Sequence, residues 1–356
     1  MAIALSGGVD SAVAALRLVE VGAEPVGLAL RLHDPDPDNP LAPRACCPPD
    51  DLQDARRVCE QLDIPFYVLD ARSEFDQAVV RPFVQAYLQG RTPNPCVGCN
   101  AFVKLDRLVR RARALGCDAL ATGHYARIAS SAAGPRLFAG ADAAKDQSYF
   151  LFSVGTATLA GLAFPLGAWT KDDVRRRAVE AGLPVGHKLE SQEVCFVGGA
   201  GAGAFVRRQA EAAGLPGGAI RDEAGRELAR HDGIAGFTVG QRKGIGVAAR
   251  ERLHVLDIDP ATHDVTVGPA ERLERRRLFA ERASWPCGAP PAARFEARVQ
   301  IRYRDPGTPA TVEILDGGRV EVGFERPVRA VAPGQAAVFR VGDEVVGGAW
   351  ISGSAS

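Results

Sequence analysis

The stretch that most constrains the fold opens the chain, where Ala2-Ile3-Ala4-Leu5 precedes the hexapeptide SGGVDS at residues 6–11. The four apolar residues predict a short buried strand, and the two glycines predict a turn that no β-carbon obstructs. Residues 12–21 then predict a helix that Gly22 ends. A strand, a glycine turn and a helix N-terminus together predict an anion site, because backbone N–H groups and the helix dipole favour negative charge.

The anion expected at this loop is a pyrophosphate. The loop contains no Lys and therefore does not match the GxxxxGK[ST] pattern that holds β- and γ-phosphates. Asp10 is suited to lie beside a divalent cation, and Ser6 and Ser11 add hydroxyl donors. SGGVDS resembles the loop of the ATP pyrophosphatases, which join AMP to an acceptor and release pyrophosphate. The alternative is that the glycines only turn the chain.

Composition limits the class of protein. The 356 residues suggest two or three domains, and the 46% hydrophobic content supports a large core. Lys+Arg and Asp+Glu are both 43, but residues 91–128 carry 7 basic and 2 acidic residues, which predicts a local basic patch. With no signal-peptide pattern, no apolar run near 18 residues and eight scattered cysteines, we expect a cytoplasmic protein with reduced thiols and no membrane segment.

The chain divides into an α/β part and a β part. We expect parallel strands at residues 25–32 and 65–69, a strand at 117–121, and helices at 50–62, 73–88 (with a kink at Pro82) and 169–181. A Pro- and Asp-rich loop between the second strand and its helix holds Cys46 and Cys47, whose role the sequence leaves open. A glycine-rich linker is expected at 198–203, and short strands at 211–269. The alternating pattern from Arg294 onward predicts an antiparallel barrel, with residues 302–304 on a strand.

A second informative stretch is RTPNPCVGCN at residues 91–100. Its prolines and asparagines predict irregular structure, and Cys96-x-x-Cys99 leads into a helix at 101–115. A thiol at a helix N-terminus has a depressed pKa and is more nucleophilic. The basic residues of this helix form either a solvated face or a site for a phosphate backbone: Lys104, Arg107, Arg110, Arg111 and Arg113. Zinc would need a second CxxC or paired histidines, and neither pattern is present.

Two further segments carry candidate residues. Gly123 and His124 follow the strand at 117–121, and the carboxyl end of a strand is where an open α/β sheet accepts a nucleotide. Residues 190–197 predict a strand-like segment with Cys195 between apolar neighbours. Taken alone, this segment favours a buried structural cysteine over a reactive one.

Seven motifs occur in a fixed order along the chain: SGGVDS, TPNPCVGCN, ATGHY, KDQSYFL, SQEVCF, GFTVGQRKGIG and PGQAAVF. In this order they resemble the tRNA-uridine 2-sulfurtransferases, the MnmA/TrmU family of 2-thiouridylases. The resemblance implies an α/β fold with a Rossmann-like ATP-pyrophosphatase domain and parallel sheet at 1–200, a small central domain at 201–275, and a β-barrel-like domain at 276–356.

The resemblance also implies a reaction. O2 of the wobble uridine in tRNAs for Lys, Glu and Gln is adenylated with ATP and Mg²⁺, and the oxygen is then replaced by sulfur. Cys99 is the implied nucleophile, Cys195 the implied carrier of a persulfide, and Asp10 an implied catalytic residue. The implied partners are tRNA and a sulfur-donor protein such as a cysteine desulfurase or a relay protein.

The resemblance assigns binding residues one by one. Those implied for ATP are Ala4, Leu5, Ser6, Gly7, Gly8, Val9, Asp10, Ser11, Leu30 and Gly123. Those implied for tRNA are Asn94, Pro95, Cys96, His124, Lys145, Asp146, Gln147, Arg302, Tyr303 and Gln335. The chain departs from the family pattern at Cys96, where many members have Asp, and before Ser6, where the usual Gly-Met is missing.

Three alternatives stay open at this point. Cys96, Cys99 and Cys195 could instead ligate a [4Fe–4S] cluster whose free iron binds the incoming sulfur. An amide-forming ligase with the same loop would need a glutaminase partner and no thiols at the site. A non-enzymatic RNA-binding module would have no need of SGGVDS.

Overall fold

The computed structural model describes residues 1–34, 49–188, 194–197, 201–210, 216–249 and 251–355. The α-helices are α1 Val9–Glu20, α2 Pro49–Gln61, α3 Arg72–Phe75, α4 Arg81–Leu88, α5 Pro95–Cys99, α6 Leu105–Ala114, α7 Thr156–Leu159, α8 Lys171–Glu180 and α9 Gly201–Ala210. The strands of the first part are β1 Ala2–Ala4, β2 Val26–Arg31, β3 Phe66–Asp70, β4 Leu120–Ala121, β5 Ala126–Ser131, β6 Gly134–Ala139 and β7 Leu162–Ala163. The later strands are β8 Gly218–Arg221, β9 Glu227–His231, β10 His254–Ile258, β11 Val265–Gly268, β12 Glu274–Ser284, β13 Arg294–Gln300, β14 Thr308–Leu315, β15 Arg319–Arg329, β16 Ala336–Val341 and β17 Glu344–Ala355.

The first sheet is parallel throughout, with the strand order β3-β2-β1-β4-β7. The chain moves from β1 outward to β2 and β3, and then returns to the other side of β1 for β4. The direction of winding therefore reverses between β1 and β4. Ligands of open α/β sheets bind in the crevice at such a reversal, beyond the carboxyl ends of the strands. The loop after β1 and the Thr122–Gly123 segment after β4 both lie there.

A π-helical turn joins two consecutive α-helices at two places in the chain. A π-helical turn at Asp76–Val80 joins α3 to α4, immediately before Pro82. A second π-helical turn at Asn100–Lys104 joins α5 to α6. The prediction of irregular structure through residue 100 is wrong, because Pro95 is the first residue of α5. Its fixed φ suits the first helical position, where the missing N–H is not needed.

The second part of the chain contains two further sheets. Strands β8–β11 form a small sheet in the order β10-β11-β8-β9. Strands β12 to β17 form an antiparallel barrel that the pairing of β12 with β17 closes. The fold class expected from the resemblance is therefore confirmed: an N-terminal parallel sheet, a small central domain and a C-terminal antiparallel barrel.

The barrel is joined to the first part by a hairpin that the sequence analysis does not predict. Strands β5 and β6 leave the parallel sheet after β4, and β6 pairs with β17 through Leu137 and Val345. Phe152 packs against Trp350 with ring centroids 5.0 Å apart. A Cβ added at Gly348 would lie 2.5 Å from the Phe152 ring, so only glycine allows this close approach. The parallel sheet and the barrel thus share one continuous packed region.

Three sequence expectations are corrected. Gly201–Gly203 opens helix α9 and is not part of a linker. Residues 194–197 form a turn, closed by the Val197 N–H to Val194 C=O bond, and not a strand. Strand β13 ends at Gln300, so Arg302 to Arg304 lie in the turn that follows, where Arg304 has φ 66°. Cys46 and Cys47 lie outside the described residues, and no described helix has the length and apolar character that crossing a membrane requires.

Candidate active site

A cavity lies at the reversal between β1 and β4. Of the residues predicted to bind ATP, seven line it: Ala4, Leu5, Ser6, Asp10, Ser11, Leu30 and Gly123. The apolar side of the cavity comes from Leu28, Leu30 and Leu32 of the β2 segment and from Leu105 and Leu108 of α6. An apolar side beside a glycine loop suits a purine base with an attached phosphate chain.

The glycine turn is held in one conformation from several sides. Gly7 has φ +72°, and a Cβ there would lie 2.1 Å from the Asp51 carbonyl oxygen, so the position requires glycine. Gly8 has φ −95° and no such strain. The Ser6 N–H donates to Ser11 Oγ at 3.2 Å, and Ser11 Oγ donates to the Gly8 carbonyl at 2.9 Å. Asp10 and Ser11, in the first turn of α1, line the cavity beside this turn.

Asp10 is held by two residues that the sequence analysis missed. Lys171 Nζ donates to Asp10 Oδ1 at 2.7 Å and to Oδ2 at 2.8 Å, and Tyr125 Oη donates to Oδ1 at 2.7 Å. Lys171 is only 5% exposed and lies in the first turn of α8, where Thr170 and Asp173 form a capping box. The one signal for Lys171 in the sequence is indirect, since a phosphate loop without Lys implies positive charge from elsewhere.

Lys188, a second lysine that the sequence does not indicate, contacts the glycine turn. Lys188 Nζ donates to the Gly7 carbonyl at 3.1 Å and forms ion pairs with Asp51 and Asp54 of α2. It precedes Cys195 by seven residues in the chain. The loop that follows β1 is therefore tied to both α2 and the segment that leads toward Cys195.

The site fits a magnesium ion bound mainly by its substrate. Asp10 is 31% exposed on the cavity and its carboxylate has further acceptor capacity. Among the residues that the structure describes, no group of three or more His, Cys, Asp or Glu is arranged to hold a metal ion. Mg²⁺ commonly uses one or two carboxylates together with phosphate oxygens and water, so Asp10 suffices as the protein ligand.

The two cysteines of the CxxC motif lie on α5 in different environments. Cys96 is exposed, whereas Cys99 is 5% exposed and lies in the apolar cluster beneath the parallel sheet. Asn100, the next residue, is buried and its amide donates to the Phe150 carbonyl at 3.4 Å. π-helical turns like the one that starts at Asn100 occur frequently at functional sites.

Cys195 is half-buried and packs against the same apolar cluster that contains Cys99. The next residue anchors its turn. Phe196 makes edge-to-face contacts with Phe75, Phe83 and Phe205, at centroid distances of 5.5, 5.1 and 5.2 Å. Aromatic packing against α3, α4 and α9 therefore holds the turn that carries Cys195.

The three cysteines that could ligate an iron–sulfur cluster lie in different environments. Cys96 is exposed, Cys99 is buried and Cys195 is half-buried. Among the described residues, no group of three or more His, Cys, Asp or Glu is arranged to hold a metal ion. A ligand role for the three thiolates stays a prediction.

The segment before α5 is held where all three parts of the chain meet. Gln335 Nε2 donates to the Thr92 carbonyl at 2.8 Å, and the Thr92 N–H donates to the Pro333 carbonyl at 2.8 Å. Thr92 Oγ1 also donates to Thr238 Oγ1 at 3.1 Å, in the GFTVGQRKG motif of the central domain. The barrel and the central domain thus jointly position Asn94, Pro95 and Cys96.

Neighbouring residues of the KDQS segment, 145–148, contact different parts of the protein. Gln147 and His124 line the cavity, and Gln147 Oε1 accepts from the Tyr125 N–H at 3.0 Å. Asp146 instead accepts bonds from the Gly140 and Ser148 N–H groups, from Ser148 Oγ, and from Arg340 of the barrel at 2.8 Å. These internal bonds suit Asp146 to a positioning role between its half-buried neighbour Lys145 and Gln147.

The remaining residues predicted to contact tRNA lie at the barrel edge of the same junction. Tyr303 packs against Phe150 with centroids 4.5 Å apart. Tyr149 beside it donates to the Ala336 carbonyl at 3.0 Å, and burial raises its pKa above the usual range while a hydrogen bond with Asn94 lowers it. Arg302 is exposed, and its Nη1 donates to the Arg329 carbonyl at 3.2 Å. Asn94, Tyr303 and Gln335 are therefore brought close together.

The basic helix presents two different faces. Lys104, Leu105 and Leu108 line the cavity that contains Ser6 and Gly123. A second cleft, of about 540 Å³, is lined by Leu69, Glu74, Phe102, Val103, Arg107, Arg110 and Arg111. Phe102 is 61% exposed there, beside the arginines. Lys104 therefore lines the cavity, whereas Arg107, Arg110 and Arg111 line the second cleft.

Comparison with known proteins places the chain in a family. Family models match a tRNA methyl transferase HUP domain at residues 1–199, a tRNA methyl transferase PRC-barrel domain at 204–269 and an aminomethyltransferase beta-barrel domain at 275–351. Among solved structures, an NMN synthetase from Francisella tularensis is 20% identical, covers 54% of this chain and 68% of its own, and has a TM-score of 0.33.

Full-length relatives decide the assignment. A tRNA-specific 2-thiouridylase MnmA from Magnetococcus marinus is 47% identical over 352 residues, covering 99% of this chain and 98% of its own. The protein of the same name from Chloroflexus aggregans is 46% identical, covering 98% of this chain and 97% of its own. With matches of this extent along the whole chain, the protein belongs to the tRNA-specific 2-thiouridylase family.

Proposed function

We propose that this protein replaces O2 of the wobble uridine of tRNA with sulfur, in two chemical steps that use ATP and a cysteine persulfide. One observation carries the proposal. The helix that follows Cys99 forms a wall of the cavity at the SGGVDS loop, through Leu105 and Leu108. A nucleotide bound at the loop and a base presented to Cys99 would therefore be neighbours.

The first step is adenylation of the base. Uridine O2 attacks the α-phosphorus of ATP, the bond to the β-phosphate bridging oxygen breaks, and pyrophosphate leaves. The α1 N-terminus and the Ser6 hydroxyl hold the phosphates by hydrogen bonds, and Ser11 keeps the turn in shape. Asp10 would hold Mg²⁺, which would supply charge neutralisation at the phosphate oxygens. Adenylation is needed because the oxygen of a urea-like carbonyl is a poor leaving group and AMP is a good one.

The second step transfers sulfur. The terminal sulfur of a Cys195 persulfide attacks C2, and AMP leaves with the original O2. The Cys99 thiolate then attacks the Cys195 sulfur, so that a Cys99–Cys195 disulfide forms and the thiocarbonyl is released. A thiol reductant must reduce this disulfide before the next turnover. The packing of Cys195 against the cluster that contains Cys99 supports this pairing.

The partners follow from the same chemistry. A sulfur-donor protein, such as a cysteine desulfurase or a relay protein, loads Cys195, and tRNAs for Lys, Glu and Gln are the acceptors. We propose the cytoplasm as the compartment, where both partners and reduced thiols occur. The junction of Asn94, Tyr303 and Gln335 receives the anticodon loop, with Asn94 to Cys96 against the target base.

Single cysteine variants test the two steps separately. Pyrophosphate release and 2-thiouridine are measured with tRNA, ATP and a persulfide donor. We expect Cys99→Ala and Cys195→Ala to release pyrophosphate in a tRNA-dependent manner and to form no 2-thiouridine. Cys96→Ala should keep substantial activity, and Cys287→Ala, a thiol in the barrel domain, is the matched control. Formation of 2-thiouridine by Cys99→Ala or Cys195→Ala would contradict the proposal. Pyrophosphate release that does not depend on tRNA would contradict it as well.

A further inference from the structure

Lys104 occupies a position that no motif of the chain points out. It ends the π-helical turn that begins at Asn100, so it lies five residues after Cys99 on one continuous helical segment. Its side chain is half-buried and lines the cavity together with Ser6, Asp10 and Gly123. The SGGVDS loop contains no Lys of its own, and here a lysine reaches the same cavity from the helix that carries the nucleophile.

The surroundings of Lys104 distinguish it from the arginines of α6. Arg107, Arg110 and Arg111 line the outer cleft with the exposed Phe102, and none of them lines the cavity. Lys104 shares its face with Leu105 and Leu108, which form the apolar side of the cavity. A positive charge on that face is directed toward the nucleotide cavity, whereas the arginines are available to a ligand outside it.

His124 shows the effect of this charge inside the cavity. Burial and then the positive charge of Lys104 lower the pKa of His124 to about 4, so the imidazole is neutral at ordinary pH. Thr122 Oγ1 lies 2.8 Å from His124 Nδ1 and fixes the ring. Lys104 and His124 both line the cavity, and Lys171 forms an ion pair with Asp10 at its edge.

We infer that Lys104 binds the α-phosphate of ATP and of the adenylated uridine, and so supplies the lysine that the SGGVDS loop lacks. The α-phosphorus is the atom that must lie between the loop, which holds the pyrophosphate, and the base at Cys99. Lys104 lies on the wall between these two places. The inference rests on the proposed function, and it extends it by assigning a residue that couples adenylation to the helix of Cys99.

Nucleotide binding without tRNA tests the assignment directly. The affinities of Lys104→Met, Lys104→Arg and wild-type protein for AMP and for Mg-ATP are measured by equilibrium dialysis. We expect Lys104→Met to weaken both about tenfold, the scale of one lost charge-assisted hydrogen bond, and Lys104→Arg to recover part of the loss. Lys243→Met, which removes an exposed lysine of the central domain, is the matched control and should bind as wild type does.

The kinetic prediction separates an α-phosphate role from an RNA-binding role. At saturating ATP and tRNA, Lys104→Met should lower the rate constant of tRNA-dependent pyrophosphate release about 100-fold, the scale of a lost oxyanion donor, while tRNA affinity stays unchanged. Wild-type AMP affinity with reduced tRNA affinity in Lys104→Met would overturn the inference and place Lys104 on the RNA surface. Unchanged affinities and rate would overturn it as well.

A readout independent of activity verifies the geometry. The His124 ring protons are titrated by NMR in folded wild type and Lys104→Met, and we expect the pKa of His124 to rise when the lysine charge is removed. An unchanged pKa would show that Lys104 does not reach the cavity, and would overturn the inference. If wild-type protein makes no 2-thiouridine, the proposed function fails, but the AMP-affinity and NMR comparisons still decide the role of Lys104.

Discussion

Lys171 donates from its Nζ to both carboxylate oxygens of Asp10, at 2.7 and 2.8 Å, although 161 residues separate the two in the chain. Asp10 belongs to the helix that starts at the glycine turn, and Lys171 starts α8. The ion pair therefore fixes the carboxylate that we propose as the magnesium ligand. It also buries a lysine ammonium, 5% exposed, against the first turn of the helix that follows the SGGVDS loop.

A double-mutant cycle tests this pair. Lys171→Met should lower the free energy of unfolding by about 1–3 kcal/mol, less than for a fully buried pair because Asp10 is 31% exposed. Asp10→Asn should cost a similar amount. In urea unfolding, the double variant should lose about 1 kcal/mol less free energy of unfolding than the two single losses added together. Strict additivity would mean that the two side chains do not interact in solution.

Arg340 is expected to hold the barrel on the parallel-sheet domain. It is 7% exposed and donates to Asp146, Ser148 and Gln300, so Arg340→Met removes the ion pair with Asp146 and one donor each from Ser148 and Gln300. We expect a loss of about 3 kcal/mol in urea unfolding. Arg127→Met removes an exposed ion pair with Asp343 across the same interface and should cost under about 1 kcal/mol. Equal losses in the two variants would contradict this prediction.

The outer cleft is predicted to bind the tRNA backbone. Replacing Arg110 and Arg111 with Ala should weaken tRNA binding and flatten its salt dependence, because fewer counterions are released. The affinity for ATP should not change. Arg113→Ala is the control on the same helix, since Arg113 donates to the Ala157 carbonyl and does not line the cleft. An unaltered salt slope for the double variant would mean that this face is only solvated.

Stability should depend on pH through His124. Its pKa in the folded protein is about 4, below the ordinary value near 6.5, because burial and Lys104 disfavour the charged ring. Between these values the unfolded chain binds more protons, so the free energy of unfolding should rise as pH increases from about 4 to 6.5. His124→Gln should flatten this rise in urea titrations at several pH values. The same slope in the variant would refute the assignment.

The parts of the fold that local pattern decides were predictable from the sequence. Apolar runs predicted β1, β2 and β3, and Gly22 and Gly182 end α1 and α8 with φ +78° and +61°. Alternation predicted the barrel strands from Arg294 onward. The start of α5 was missed because a proline can also begin a helix, and the hairpin β5–β6 was missed because its stability comes from pairing with β17.

For the candidate site, the sequence indicated the motifs but not the contacts between them. Most residues predicted for ATP do line one cavity, because the loop and Gly123 follow neighbouring strands. Lys171 and Lys188 carry no local signal, since their partners lie more than 130 residues away. Asp146 lies in a motif that the resemblance assigns to tRNA, and only the fold shows that its carboxylate is bonded to Arg340.

The fate of one oxygen atom tests the central claim most directly. A tRNA whose wobble uridine carries ¹⁸O at O2 is incubated with the protein, ATP, Mg²⁺ and a persulfide donor, and the AMP produced is analysed by mass spectrometry. Our account predicts one ¹⁸O atom in each AMP, with one 2-thiouridine formed for each labelled AMP. Formation of 2-thiouridine with AMP that contains no ¹⁸O would show that the base is not adenylated, and would contradict the account.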